Sequence, residues 1–583
     1  MRALAALLVL ALTAPAAAKP AVRVKARIAS KAGAVRAKSA TVGTDGAHAT
    51  ISIGAELRPI KELLAAKAPM TLEEETAIKI AKMLRGPLRN GDTGLYVVDA
   101  RTNQPLFAVN ADEAFNPASN VKMISTATAL ELLGPTFRYP TRLLGPAPEG
   151  GIVHGDVYLL GSYDPTLTSA DLAEIAQLVA KRGITSIEGS VVVGSDSMRD
   201  GIYRAVVPIE IVAGEPGAPP LATVSLGAEH VSVTVTAKTA KRAMRPRLTY
   251  KVETSKTPAG LPRIHVTIGG TIGKGGMTMY PLATRERTAT AAYALKGALA
   301  AHGVRVTGEL RFRELGDFTG DAVASGQLPI ELGRHDSRPL SDIVTRVNKR
   351  SINWLADRVV MTAAALARRQ PPSMELALDA MYEWLARHPH LSKSDVYVDT
   401  GSGLSYRTRI SPLELVSIVR SASGYAQDSD PVLGQAWMGS LSIAGTDGTL
   451  RHRVRGADVS ARIRGKTGTL STAIAMSGLL DVDPEHPLAF ALVTNTKRPL
   501  SKGAVRLAHD QVIRALCTYA AKTSRANPLA PPRKVVPVEP VPAPSAEATP
   551  GATPGATPGA TTDDAEETSE HDPVLDAETS GQQ

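Results

Sequence analysis

Only one cysteine, Cys517, occurs in the 583 residues. That excludes an intramolecular disulfide, a cysteine-based zinc cage and a lipid-bearing cysteine near the start of an exported chain. Cys517 falls on an apolar helical pattern, which reads as a buried structural thiol. The 12 histidines show no His-Glu-x-x-His spacing. A zinc peptidase needs two imidazoles one helical turn apart, so no metal and no cofactor is expected. After the N-terminus no run of eighteen apolar residues appears, which excludes a membrane-spanning helix by length. The formal net charge is +10, but Lys and Arg are spread along the chain without a nucleic-acid motif, so nucleic acid is not an expected partner. Acid is missing from Lys19 to Thr44. The basic stretch Lys19 to Lys38 reads as a solvated linker or as a contact to anionic envelope surfaces.

Both ends of the chain are biased. Met1 to Ala18 carries Arg2, an apolar run from Ala3 to Leu12 and Ala16-Ala17-Ala18. This is the pattern of a secretory signal cleaved after about Ala18, and it points to the periplasm. Residues 19–70 are expected to be a basic linker. Past Ser524 the chain turns Pro-rich, repeats Thr-Pro-Gly-Ala from about Thr549 to Ala560, and is acidic from Asp563 to Glu578. Such composition cannot bury a core, so 523–583 is expected to be a disordered tail.

Between the ends the pattern is globular. Thr71-Leu72-Glu73-Glu74 is a capping box opening a helix that ends near Gly86-Pro87. Leu95 to Asp99 and Pro105 to Val109 read as an antiparallel hairpin. Pro117 to Gly134 reads as a loop feeding a helix, with Val121, Ile124, Leu130 and Leu133 as its stripe and Gly134-Pro135 as its stop. Strand patterns follow at Gly155–Leu160, Gly189–Val193, Val231–Thr236, Arg247–Glu253 and Ile264–Gly269. Among them stands a helix with Ser169 as N-cap and Leu172, Ile175, Leu178 and Val179 as its stripe. A further helix is expected at Thr288 to His302. Apolar stripes at Leu340–Val347 and Ile352–Val360 leave Ser351 and Asn353 at a junction between two helices. Two strands, Ile474–Asp481 and Leu488–Thr494, and a helix over about Ala504 to Tyr519 complete the pattern.

Three motifs stand in this framework. Ser119 opens the only Ser-x-x-Lys, which brings a hydroxyl and the amine of Lys122 to one helix face. Ser351-Ile352-Asn353 is the only Ser-x-Asn, and Lys466-Thr467-Gly468 the only Lys-Thr-Gly. A hydroxyl beside an amine kept neutral is a nucleophile with its base. Singly, each has a plainer reading. Ser119 could be an N-cap, Lys122 a solvated lysine, Asn353 a helix-junction residue, and Lys466-Thr467-Gly468 a polar turn. In this order, however, the three resemble the set found in penicillin-binding proteins and serine β-lactamases.

Flanking segments narrow the resemblance. GDVYLLGSYDPTLTSADL from Gly155, DTGSGLS from Asp399 (with Thr400 added) and AGTDGTL from Ala444 resemble the D-alanyl-D-alanine carboxypeptidase and endopeptidase group of peptidase family S13, of penicillin-binding protein 4 type. The resemblance implies an α+β fold, with an antiparallel sheet flanked by helices. The catalytic domain would be split into 71–138 and 334–522 by one or two β-rich inserted domains at 139–333. It also implies an acyl-enzyme on Ser119, with Lys122 as base and Ser351 as proton relay. Asn353, Lys466, Thr467, Gly468 and Thr469 would bind substrate, with the N–H groups of Ser119 and Thr469 as oxyanion hole. The partners implied are peptidoglycan stem peptides, and β-lactam antibiotics as inhibitors; a homodimer is left open. Two alternatives remain. A class A β-lactamase would carry a Glu-x-x-x-Asn pairing between the second and third motifs, yet no asparagine lies from Trp354 to Gly465. A non-catalytic wall-binding protein would have no use for Lys122.

Overall fold

A computed structural model describes residues 50–524, apart from 54–55, 60–69, 86–90, 195–205, 225–227, 259–260, 284–286, 315–328, 457–461 and 498–500. The signal segment and the tail beyond 524 therefore lie outside the described residues, as does most of the basic linker.

The site-bearing part begins with β1 (Thr50–Ile53) and β2 (Glu56–Pro59), followed by α1 (Leu72–Arg85), β3 (Asp92–Asp99) and β4 (Pro105–Val109). β1 and β2 correct the expected linker: the two strands pair antiparallel, and β1 adds to β4. The alternation Ile51, Ile53 across Gly54 to Leu57 is a strand pattern that the basic composition upstream obscured. The capping box holds, with Thr71 N–H donating to Glu74 Oε2 at 3.0 Å and Glu74 N–H to Thr71 Oγ1 at 3.2 Å. One 3-10 turn, Ala118–Val121, runs into α2 (Lys122–Leu133).

After a long excursion the chain returns as five helices: α3 (Leu340–Arg350), α4 (Asn353–Arg368), α5 (Met374–Arg387), α6 (Pro412–Ala422) and α7 (Pro431–Ser440). Then come β5 (Ser442–Ile443), β6 (Ile463–Thr469), β7 (Ala473–Leu480), β8 (Leu488–Asn495) and α8 (Lys502–Thr523). The strands make one eight-stranded antiparallel sheet in the order β2-β1-β4-β3-β8-β7-β6-β5.

Helices cover both faces of this sheet. Along β8, Leu488, Phe490 and Leu492 pack towards α1 and α8, where Ile80, Val512 and Leu516 meet them. Ala489, Ala491 and Val493 face α2 and the helices around it. Small residues on that side let α2 lie close to the sheet. Because both faces are covered, these strands read as continuous apolar runs rather than alternating ones. The helix α2 is buried from Lys122 to Leu130, so the four-residue stripe was only part of its contact surface. Trp437 pins it from behind, its Nε1–H donating to the Met123 carbonyl and to Thr126 Oγ1, each at 3.2 Å. Cys517 is buried in the α8 face of the core.

The excursion builds two nested sets of sheets. The outer has strands in the order Leu310–Arg313, Val191–Gly194, Val157–Leu160, Pro140–Gly145 and Ile330–Asp336, backed by helices Ser169–Lys181 and Arg287–Ala301. Leu159, Val191, Leu172, Ile175, Leu295 and Leu299 share its core. The inner set occupies 206–283 and has its own core around Ile209, Ile211, Val266 and Ile268. Two details differ from expectation. The N-cap of the first helix is Thr168, not Ser169, because the Asp171 carboxylate accepts from both the N–H and the hydroxyl of Thr168, at 2.6 and 2.8 Å. Leu178 belongs to no buried stripe; it is exposed.

Candidate active site

The turn that holds Ser119 is fixed by its neighbours. Ala118 sits at φ 48°, a conformation a Cβ disfavours. Its N–H donates to Asn116 Oδ1 at 2.9 Å, while Asn116 donates to the Ser405 carbonyl and accepts at its own carbonyl from Asn495. The strand β6 lies against this turn. A Cβ on Gly468 would fall 2.4 Å from the Pro117 carbonyl oxygen and 3.1 Å from Ala118 Cβ. Glycine at 468 thus admits the chain's own nucleophile turn. Gly403 is packed on it just as tightly, at φ 73° with a would-be Cβ 2.1 Å from the Ala118 carbonyl.

Ser119 is half-buried and reachable from solvent. Lys122, on the first turn of α2, is wholly buried, and its Nζ lies 3.0 Å from Ser119 Oγ, 2.7 Å from Asn353 Oδ1 and 2.6 Å from the Ser402 carbonyl oxygen. Burial pushes this amine down to about 7. The three contacts then define what it can do. Asn353 Oδ1 and the Ser402 carbonyl can only accept. A neutral amine has two N–H bonds to give them, which leaves its lone pair turned to the Ser119 hydroxyl. That is the geometry of a general base at its nucleophile.

The second and third motifs meet beside it. Ser351 caps α3 in a left-handed conformation, φ 56°, and Asn353 opens α4 two residues later, so the motif lies at the expected helix junction. Held there, the Ser351 hydroxyl accepts from Lys466 Nζ at 2.8 Å. Ile352 packs half-buried against the core. Lys466 is wholly buried as well, and its amine is depressed by burial and by repulsion from Lys122. Thr467 donates to Thr449 Oγ1 at 2.7 Å, which explains the AGTDGTL segment: it carries the hydroxyl partner of the third motif. The strand β5 pairs with β6 only at Gly465 and Arg464. Among the described residues no strand covers the edge from Lys466 to Thr469, so this stretch can receive an extended chain through its main-chain groups.

The seven motif residues are thus brought to one crevice between β6 and the α2–α4 helices, and Thr469 ends the same strand with its hydroxyl accepting from Arg506 at 3.2 Å. Two more were not singled out. Asp357 lies one turn after Asn353 on α4 and acts on Lys122 by its charge; Ser402 supplies a carbonyl to the same amine. The four-residue step from Asn353 was the available signal for the first. Ser402 lies in the DTGSGLS segment, whose resemblance was legible although its contact was not.

Residues 76–516 match the model of the D-Ala-D-Ala carboxypeptidase 3 (S13) family. The chain belongs to that family. It is 28% identical over 454 residues to a D-alanyl-D-alanine carboxypeptidase of Actinomadura sp. (strain R39), covering 71% of this chain and 80% of that one. It is 26% identical over 460 residues to carboxypeptidase DacB of Mycolicibacterium smegmatis, covering 75% and 85%. The fold matches the crystal structure of penicillin binding protein 4 (dacB) from Haemophilus influenzae with a TM-score of 0.57, at 19% identity, over 75% of this chain and 99% of that one. The S13 chain is accordingly a serine-type D-Ala-D-Ala carboxypeptidase of the cell wall, with the α+β penicillin-binding architecture. No helix among its described residues is long and apolar enough to cross a membrane.

Proposed function

We propose that this enzyme works in the periplasm, after removal of residues up to about Ala18, and cleaves peptidoglycan stem peptides and cross-links through an ester on Ser119. The observation that carries the reading is the wholly buried Lys122 amine, 3.0 Å from Ser119 Oγ and with its other two contacts on pure acceptors. Lys122 takes the Ser119 proton as Oγ attacks the carbonyl carbon of the penultimate D-alanine. The N–H groups of Ser119 and Thr469 hold the oxyanion. The proton reaches the leaving amine through Ser351, which Lys466 orients. The substrate chain lies along the open edge of β6. Lys466 and Thr467 hold its terminal carboxylate, whose charge offsets the burial and the Lys122 repulsion that disfavour the ammonium of Lys466. Asn353, with its carbonyl engaged by Lys122, has its NH₂ left for the substrate amide. The halves of the catalytic domain, 71–138 and 334–522, close around 139–333.

Labelled penicillin should form a stable adduct with the wild-type protein and none with Ser119→Ala. Purified muropeptides should lose a terminal D-alanine or a cross-link, resolved by mass. Rapid turnover of penicillin would instead place the protein with the β-lactamases, and an adduct on Ser119→Ala would remove the nucleophile assignment.

A further inference from the structure

Lys122 has one ionic neighbour that the scheme above leaves unused. Asp357 stands on α4, four residues after Asn353, so the two side chains leave the helix on the same face, towards α2. The Asp357 side chain is half-buried, and its Oδ1 is shut off from solvent without a hydrogen-bond partner. The hydroxyl and the N–H of Ser402 face this carboxylate and favour its charged form against the burial that raises its pKa. The loop is packed onto it: a Cβ on Gly401 would lie 3.1 Å from Asp357 Oδ1 and 2.9 Å from Val360 Cγ1. From the other side, Ser125 on α2 donates to the Gly401 carbonyl. The Ser402 carbonyl that faces Lys122 is therefore held through its own residue by Asp357.

The charges around this point are few. Lys122 and Arg358 act on Asp357, and Asp357 is the acid that acts on Lys122. Lys466 faces Lys122 from β6. From α5, the Met381 thioether abuts Ser125 and brings no charge. Lys122 thus has one acid to answer it, and one amine, Lys466, that repels it.

We infer that Asp357 is a positioning residue for acylation: it pins the loop at 401–403 so that the Ser402 carbonyl meets Lys122, and it is the counter-charge for the ammonium formed when the Ser119 proton arrives. In that step the Ser119 O–H bond breaks, an N–H bond forms on Lys122, and Oγ bonds the carbonyl carbon; Asp357 neither gains nor loses a proton. The inference rests on Ser119 as nucleophile for its place in acylation, but the link from Asp357 to Lys122 does not.

The test uses full-length protein with ¹³C-labelled lysine, the Lys122 signal being the one missing from Lys122→Arg. Asp357→Asn keeps a partner for Ser402 and removes the charge. It should lower the titration midpoint of Lys122 by about one pH unit or more, because an ammonium without its counter-charge is harder to keep. The acid limb of penicillin acylation should move down with it. Asp357→Glu keeps the charge and should titrate as wild type, and it carries the test if Asp357→Asn does not fold. Ser402→Ala keeps the charge but loosens the loop; it should slow acylation about tenfold with the midpoint unmoved. An unchanged midpoint in Asp357→Asn, a displaced one in Asp357→Glu, or one displaced in Ser402→Ala as far as in Asp357→Asn, would overturn the inference. A shifted midpoint in a protein whose Ser119 takes no penicillin would sink the nucleophile reading and leave the ion pair standing.

Discussion

The sheet that carries the site and the sheets of the excursion solve the same packing problem differently. Every residue of β7 is buried, and β8 is buried up to its last residue. In the excursion, Pro262–Ile272 alternates between buried and more exposed positions for most of its length, and Arg247–Lys256 exposes eight of its ten residues while leaving none fully buried. A strand covered on one face needs only a period of two. On a strand covered on both faces, a polar side chain left without a partner costs about 1–3 kcal/mol. Lys466 and the hydroxyl groups beside it are thus held by one another, and that mutual hold is the active site. In the excursion the cores of the two sheet sets are mostly aliphatic, and buried polar groups such as His230, bonded to Thr290, sit apart from one another rather than around a nucleophile.

Glycine substitutions test this contrast most severely. Gly468→Ala should abolish the penicillin adduct or slow its formation by at least about a hundredfold, since the added methyl displaces the turn bearing Ser119 by more than catalysis tolerates. Gly189→Ala, in the outer sheet of the excursion, meets an equally hard contact, 2.1 Å from the Gly155 carbonyl. It should cost stability of about 1–3 kcal/mol as overpacking, read as a lower Tm, while the folded fraction acylates at the wild-type rate. An acylation defect in Gly189→Ala that exceeds its loss of folded protein would show that the two regions do not work separately.

Acidification offers a milder comparison, because each region buries one neutral histidine. His509 on α8 bonds Thr494 through Nε2 at 2.9 Å, and burial pushes its pKa down to about 3. In the excursion, burial lowers His230, stacked on Tyr293, to about 4. A histidine whose folded pKa lies below its unfolded value of about 6.5 binds fewer protons folded than unfolded between the two. The contribution of the two histidines to stability therefore falls as pH drops from about 6.5 towards 4, and from about 4 to 3 His509 is the one of the pair that still contributes. Replacing His509 by Gln should flatten the lower window in a urea titration against pH, and replacing His230 should leave that window in place. Lys122 behaves the same way at higher pH: with a folded pKa of about 7, its contribution makes stability rise from about pH 7 to about 10.

Much of this was legible in the residues. The three motifs named seven residues that the structure brings together, because the chemistry they resemble demands fixed spacings. Period-two strands in the excursion were found within a few residues of their ends, Val231–Val235 against an expectation of Val231–Thr236. What escaped had only a weak local pattern. Asp357 is a lone carboxylate on a helix, and only the fold turns it towards Lys122. β1 and β2 were read as linker because composition upstream dominated the segment. The all-round burial of α2 arises from Trp437 and the five helices wrapped about it, which no stripe within 122–133 records.

The smallest effect concerns one residue of register in the excursion, and it separates propensity from geometry. Thr168 and Ser169 are both acceptable N-caps by residue type. In the structure Thr168 has extended backbone, φ −128°, and shares a carboxylate with Asp171, whereas Ser169 is already helical. Thr168→Ala should therefore lower stability by about 1 kcal/mol and Ser169→Ala by less than about 0.5 kcal/mol, measured by urea unfolding of otherwise identical proteins. Neither should change acylation of Ser119, because the capped helix touches the outer sheet and not β6. Equal costs at the two positions would mean that the Asp171 carboxylate does not choose between them, and that the start of this helix is set by its packing on Ile330–Asp336.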